Sequence, residues 1–200
     1  MPEKENVPNR DRKGTFVKNR QSRSHRSNQK QPQDEFEESV VEIRRVVKVV
    51  KGGKNLSFRA VVVVGNKKGK VGLGVASARE VISAIRKAVN LAKRNVIQLP
   101  IVNDTIPHEI MVKFNAAKVL LKPAVPGTGI ISSTTVRPAL ELAGVKNVLC
   151  KSLGSSTPIS VLRAIFKAFE EIKPPEYYAK LRDIDLGQLF HGSIERNEEQ

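Results

Sequence analysis

Cysteine is almost missing from this chain. Cys150 is the only one in 200 residues, so neither an intramolecular disulfide nor a cysteine cluster for zinc is possible, and a reducing compartment fits. Tryptophan is absent and the aromatics are limited to seven Phe and two Tyr. No aromatic pair falls on an exposed strand face, as stacking of single-stranded nucleic acid requires. Phe58 alternates with Ser57 and Arg59 and reads as core. No apolar run approaches the roughly 18 residues of a transmembrane helix; even Val61 to Val64 lies between Arg59 and Lys67. The first 38 residues contain no apolar stretch of a secretory signal, and Glu3, Glu5 and Asp11 are unlike a transit peptide. The protein is therefore expected to work where it is made. His25, His108 and His191 share no helix face, so no metal or other cofactor is expected. Acidic residues are also scarce where they would matter most.

Between Ser39 and Val96 there are fourteen Lys or Arg against two acids, Glu42 and Glu80. With a formal charge of +15 and a pI near 10.1, this argues for an anionic partner, nucleic acid or an acidic membrane, and the missing apolar runs weaken the second. The cations are sorted. At about 100° per residue, Ile82, Ile85, Val89, Ala92 and Val96 fall in one sector of a helix predicted from Arg79 to Val96. Arg79, Arg86, Lys87, Lys93 and Arg94 fall together in the neighbouring sector, with Ser83 and Asn90 between them. A solvated face would mix Glu with Lys at i,i+4 spacing, and this sector has no acid. The pattern suits phosphates, and with no stacking platform it suits folded, largely double-helical RNA.

Composition divides the chain into four segments. Residues 1–38, rich in Asn, Gln, Ser, Arg and Lys, cannot bury a core and are expected to form a disordered arm. Asp34, Glu35, Glu37 and Glu38 form an acidic patch between that arm and the first strand. Residues 39–100 read as β-β-β-α. Val41, Ile43, Val47 and Val49 alternate with Glu42, Arg44 and Lys48, and Arg45 marks a bulge or an inward charge. Turns follow at Lys51-Gly52-Gly53-Lys54-Asn55 and Gly65-Asn66-Lys67-Lys68-Gly69, at opposite ends of a middle strand from Leu56 to Val64. Residues 101–173 read as β-β-α-β-α, with Met111, Val119 and Leu121 as core. A turn at Gly127-Thr128-Gly129, a helix from Thr135 to Ala143 and a buried strand from Asn147 to Leu153 follow. The final helix starts with Thr157 as N-cap and Pro158, and carries a stripe of Leu162, Ile165, Phe166, Phe169 and Ile172. Residues 174–200 form an extension ending in a loose tail. The fold class is α+β, with two domains.

Two glycine clusters invite an enzymatic reading and fail it. Gly65 to Val71 has three residues between its glycines where a phosphate loop needs four, and Val71 stands where the magnesium-binding hydroxyl is required. Gly127-Thr128-Gly129-Ile130-Ile131-Ser132 lacks the third glycine and the strand-turn-helix order of a dinucleotide fingerprint. Cys150, in an apolar strand, reads as a small buried hydrophobe. No catalytic constellation emerges.

The ordered motifs Val49-Val50-Lys51-Gly52-Gly53-Lys54, Gly69-Lys70-Val71-Gly72-Leu73-Gly74, Ala78-Arg79-Glu80-Val81, Gly127-Thr128-Gly129-Ile130-Ile131 and Leu140-Glu141-Leu142-Ala143-Gly144-Val145 resemble the family of small-subunit ribosomal protein five. The likeness runs from about Val40 to Glu171. It implies a first domain like a double-stranded-RNA-binding module and a second that packs on neighbours. It also implies a place near the messenger entry path, contacts with ribosomal proteins four and eight, and a first hairpin loop reaching small-subunit rRNA. Gly127, Thr128, Gly129 and Arg137 match the family's contact with protein four, where decoding accuracy is influenced. Ser132-Ser133-Thr134 departs from the family's small Ala-Gly-Gly residues there.

The expectation is a non-enzymatic constituent of the small ribosomal subunit, bacterial or plastid. Lys48, Lys51, Lys54 and Arg59, with Gly52 and Gly53, would clamp rRNA phosphates at the first turn, and Lys67, Lys68 and Lys70 at the second. Arg79, Arg86, Lys87, Lys93 and Arg94 would lie along a groove. A free double-stranded-RNA-binding chaperone or regulator is the alternative.

Overall fold

The computed structural model describes residues 36–191. The first domain is built from β1 (Glu37–Val50), β2 (Gly53–Gly65), β3 (Lys70–Ala78), α1 (Val81–Arg94) and β4 (Val96–Gln98). The four strands form one antiparallel sheet in the order β1-β2-β3-β4. Val96, expected at the end of the helix, pairs instead with Gly72 as the first residue of β4. Glu37 and Glu38, assigned to the arm, begin β1. The irregularity in β1 lies between Val40 and Glu42 and not at Arg45.

Strand length explains the hairpin. β1 and β2 have 14 and 13 residues and β3 has 9, and the register of β3 ends where Ala78 meets Phe58. Beyond that point β1 and β2 continue as a two-stranded ribbon with no third strand beside them among the described residues. Val47 and Val49, read from their alternation as a core face, are consequently exposed, Val49 by 72%. Alternation reports which side a residue faces, and among the described residues nothing covers either side of the ribbon.

The body of the sheet is covered on both faces. Ala60, Val62 and Val64 point toward α1, whereas Val61, Val63 and Val71 enter the larger core shared with the second domain. α1 lies close to the sheet because β3 carries glycine where they meet. A Cβ at Gly74 would collide with the Ala88 carbonyl oxygen, and one at Gly72 with that of Ala92. Small residues therefore line the contact, and the buried face is Ala84, Ala88, Val89 and Ala92. Of the expected apolar sector Val89 and Ala92 are buried, but the buried face is centred further round the helix, on Ala88, leaving Ile82 56% exposed.

The second domain comprises β5 (Ile110–Phe114), β6 (Ala117–Pro123), β7 (Ile130–Ile131), α2 (Arg137–Ala143), β8 (Val148–Gly154) and α3 (Pro158–Glu171). Its sheet order is β5-β6-β8-β7, antiparallel except for the β7-β8 pair. The two-residue β7 was not legible as a strand. Val112, Val119 and Leu121 are buried on the inner face; Met111, expected as core, is on the outer face and 49% exposed. β8 buries only Val148, its other residues being partly or fully exposed. The α3 stripe is buried as read, from Leu162 to Ile172. Thr157 holds the N-cap position, but its side chain makes no cap bond; the Thr157 amide donates to the Ser155 hydroxyl at 3.3 Å. After Pro174 the chain forms α4 (Pro175–Arg182) and α5 (Leu186–His191), so the extension is ordered well into the segment read as a tail. Tyr178 of α4 meets the His108 ring edge-on at 5.5 Å.

The domains join through the turn between β2 and β3. The Lys67 and Gly69 amides donate to the Leu142 and Ala143 carbonyls at the end of α2, at 2.9 and 2.8 Å. These are carbonyls a helix end leaves unpaired. Gly144 follows in the left-handed region at φ 92°, and a Cβ there would strike the Lys67 carbonyl. One continuous core results, in which Val61, Val63, Val71 and Leu99 pack with Leu140, Ala143 and Phe169.

Gly74→Ala should lower stability by about 1–3 kcal/mol, as overpacking does, read as a lower urea midpoint at unchanged m. Gly53→Ala, with nothing within 4 Å of its added Cβ, should stay within about 0.5 kcal/mol.

Candidate nucleic-acid interface

Sinking its alanines onto the glycine-bearing strand turns α1 so that its cations face straight outward. Measured from Ala88, at the middle of the buried face, Arg86, Lys93, Ser83, Asn90 and Arg94 lie roughly 120° to 240° round the helix. Arg86, Lys87, Lys93 and Arg94 are all exposed, as is Arg79 in the turn just before the helix. No acid lies within α1 itself; Glu80, at the N-cap position, accepts a hydrogen bond from the Ser83 hydroxyl at 2.8 Å.

Tertiary structure supplies the acids that the helix lacks. Adjacent residues of β1 point to opposite sides of the sheet, and the first two are both carboxylates. Glu38 reaches Lys93 at 2.8 Å, and Glu37 reaches Lys67 at 2.6 Å. Two amines expected to hold phosphate are therefore already in ion pairs. All four side chains are about half exposed, and such pairs are worth no more than about 1 kcal/mol, so a polyanion can displace the carboxylates.

The ribbon distributes its cations over both faces. Directly opposed residues share a face: Arg44 with Arg59 and Lys48 with Asn55 lie on one side, and Arg45 with Phe58 and Val49 with Lys54 on the other. Lys51, Gly52 and Gly53 form the tip. The expected clamp of Lys48, Lys51, Lys54 and Arg59 is thus a cationic ridge surrounding the ribbon. Arg44 and Arg45 belong to it and were missed as site residues, because both were read only through the strand pattern. Glu42 accepts from Arg44 Nε at 2.6 Å, which offsets the Arg44-Arg59 juxtaposition.

The second turn plays another part. Its Lys67 and Gly69 amides are committed to α2, and Asn66 Oδ1 accepts from the Lys68 and Lys70 amides at 2.9 and 3.1 Å. Lys67 itself holds φ 56°. The structure separates this turn from the hairpin tip by the full length of β2, about 40 Å at about 3.3 Å per residue.

The Gly127-Thr128-Gly129 loop is pinned from beneath. Asn147 is 7% exposed, and its Oδ1 accepts from the Gly127 and Gly129 amides at 3.0 and 3.1 Å. Thr105 donates its hydroxyl to the Asn147 carbonyl at 2.6 Å and accepts from the Ala124 amide at 3.3 Å. Arg137 donates to the Ile130 carbonyl at 3.0 Å and lines an open groove of about 590 Å³ with Lys67 and Lys146. Each of these cations faces an acid: Glu141 for Arg137, Glu37 for Lys67 and Asp104 for Lys146. The Ser132 hydroxyl is buried without a partner among the described residues, in the segment that departs from the family pattern.

Burial pushes the Cys150 thiol up to about 11, which leaves it protonated and inert at neutral pH. Among the described residues no three His, Cys, Asp or Glu are grouped to hold a metal ion, and no helix is long and apolar enough to cross a membrane.

Exposed cations fixed on a helix-backed sheet, with a backbone-pinned loop on a second domain, define a cationic two-domain α+β protein. Comparison with known families agrees: residues 36–100 match the N-terminal domain of ribosomal protein S5, and residues 112–182 match its C-terminal domain. The chain is 55% identical to small ribosomal subunit protein uS5 of Thermotoga maritima, over 82% of this chain and 92% of that relative. It is 57% identical to the protein of that name in Thermotoga petrophila, over 80% and 89%, and 49% identical to that of Chloroflexus aurantiacus, over 82% and 93%. The chain belongs to the ribosomal protein S5 family, bacterial type, a family of structural and not catalytic proteins. These relatives are bacterial, and the plastid alternative finds no support among them.

Two measurements check the local chemistry. Asn147→Ala leaves two loop amides without their acceptor and should cost about 1–3 kcal/mol, with hydrogen exchange at Gly127 and Gly129 accelerated. With a thiol at about 11 against the ordinary 9.0, Cys150 should react with iodoacetamide at pH 8 about a hundredfold more slowly than a free thiol, accelerating only as pH nears 11.

Proposed function

We propose that this chain is a structural constituent of the small ribosomal subunit that binds rRNA through two cationic surfaces. One is Arg79 together with the outward stripe of α1, from Arg86 and Lys87 to Arg94; the other is the ribbon ridge at Lys48, Lys51, Lys54 and Arg59. The observation that carries the reading is the stripe's position opposite the buried face, which presents guanidinium and ammonium groups outward on a rigid support. Such contacts position RNA and do not read its sequence. The names of the relatives support the same assembly. Residues 39–100 are then the RNA-binding domain and residues 101–173 the domain that meets neighbouring proteins. The pinned loop at Gly127, Thr128 and Gly129, with Arg137, faces ribosomal protein four and links the chain to decoding accuracy; protein eight is the second protein neighbour. The chain sits near the messenger entry path and contributes to subunit assembly.

Lys67 and Lys93 have smaller parts. Each must exchange a carboxylate for a phosphate, so the net gain is the difference between two ion pairs. Lys68 and Lys70 remain part of the proposed rRNA surface beside the docked turn.

Sedimentation through a high-salt sucrose gradient tests the assignment: one copy per small subunit retained after the wash is expected, and a salt-labile, substoichiometric signal would point to a free RNA chaperone or regulator. In titrations against an rRNA fragment, Arg86→Ala and Arg94→Ala should each reduce the slope of log K against log salt by about one. Lys67→Ala and Lys93→Ala should reduce it by clearly less.

A further inference from the structure

The outer face of the second sheet has no element over it among the described residues, and its chemistry is patterned. α3 packs against the inner face, on β5 and β6. The registers place Met111, Leu120 and Lys151 in one row across the outer face, Lys113, Lys118 and Leu153 in a second, and Lys122, Leu149 and Ile131 in a third. Met111, Leu120, Leu149 and Ile131 thereby form a continuous aliphatic band running obliquely over four strands. Lysines border it on both sides, Lys118 and Lys151 on one and Lys122 on the other. Lys122 meets Glu109 at 3.2 Å; Lys113, Lys118 and Lys151 have no ion pair among the described residues. A depression of about 210 Å³ opens between Leu120, Leu149 and Ile131, with Lys122 and Lys151 at its rim.

We propose that this face docks a protein segment that is acidic and amphipathic, placing one apolar side chain in the depression and carboxylates on Lys122 and Lys151. Charge complementarity fixes the sign: four lysines against one glutamate call for an anionic partner. The aliphatic band fixes the class. An exposed apolar patch rimmed by polar groups gains by excluding water against other apolar groups, which phosphates do not provide, and no aromatic ring on the face offers a base a stacking surface. The lysine stems extend the apolar surface while their ammonium groups reach outward. This is a surface distinct from the α1 stripe, and it extends past Ile131 across the whole sheet.

The test rests on the proposed place in the small subunit and separates the two claims. A Leu149→benzoylphenylalanine variant is produced in cells, small subunits are isolated by sedimentation, and the subunits are irradiated. The expected product is an adduct with one subunit protein, mapped to a segment in which an apolar residue is flanked by Asp or Glu. Adding Lys122→Glu and Lys151→Glu should reduce the adduct about tenfold or more, since like charges are then opposed across the contact, while the chain still sediments with the subunit. A crosslink to rRNA, no adduct in subunits that hold the chain, or a yield indifferent to charge reversal overturns the inference alone. Absence of the unirradiated variant and of the unmodified chain from subunits overturns both the inference and the assignment beneath it.

Discussion

Two hydrogen bonds between backbones hold the parts of this molecule in register. The end of α2 presents the Leu142 and Ala143 carbonyls, and the turn between β2 and β3 presents the Lys67 and Gly69 amides. Each group would otherwise be an unpaired dipole beside a hydrophobic core, at a cost of about 1–3 kcal/mol. Approach this close is possible because glycine stands at positions 65 and 144, where a Cβ would meet the opposing backbone. With that joint made, Val61, Val63 and Val71 on the far side of the first sheet find Leu140 and Ala143 to pack against. The body of the first sheet is then covered on both faces.

That double cover leaves a small set of places for charge. α1 is pressed to β3 by alanine against glycine, so its long cationic side chains have only the solvent side. The ribbon, running past the end of β3, is the other free surface, and its cations surround it. The start of β1 contributes the counter-charge, since a strand sends Glu37 and Glu38 to opposite sides and each finds a lysine. The result is a cationic molecule whose charges are held in place by a rigid body, with a few of them balanced internally at low cost. Such a body suits a role in which position matters more than chemistry, and nothing in it requires a reactive group; Cys150 is half-buried and protonated.

The second domain follows a similar economy with a different surface. Its inner face is filled by α2 and α3, and its loop from Ala124 to Gly129 is held by Asn147 and Thr105 from below. A loop pinned through its own amides presents a fixed backbone outward, which is a useful property for a contact that must be geometrically reproducible. The outer face of the sheet alternates lysine with aliphatic residues.

The sequence by itself determined the strands and helices that rest on local periodicity: the three long strands of the first domain, the α3 stripe from Leu162 to Ile172, the turn glycines and the cationic sector of α1. It also carried enough ordered motif to point to the family. What it could not determine was set by neighbours distant in the chain. Val47, Val49 and Met111 alternate like core residues, but whether an alternating face is buried depends on what lies across from it, and β3 is too short to cover the ribbon. Glu37 and Glu38 looked like a spacer because their lysine partners are 30 and 55 residues away. Lys67, Lys68 and Lys70 were read through their charge alone; only the folded chain shows that the Lys67 and Gly69 amides of the same turn bond to the end of α2. Local propensity acts through the backbone's own bonds and is written in adjacent residues, whereas burial and pairing are properties of two surfaces, and the second surface exists only after folding.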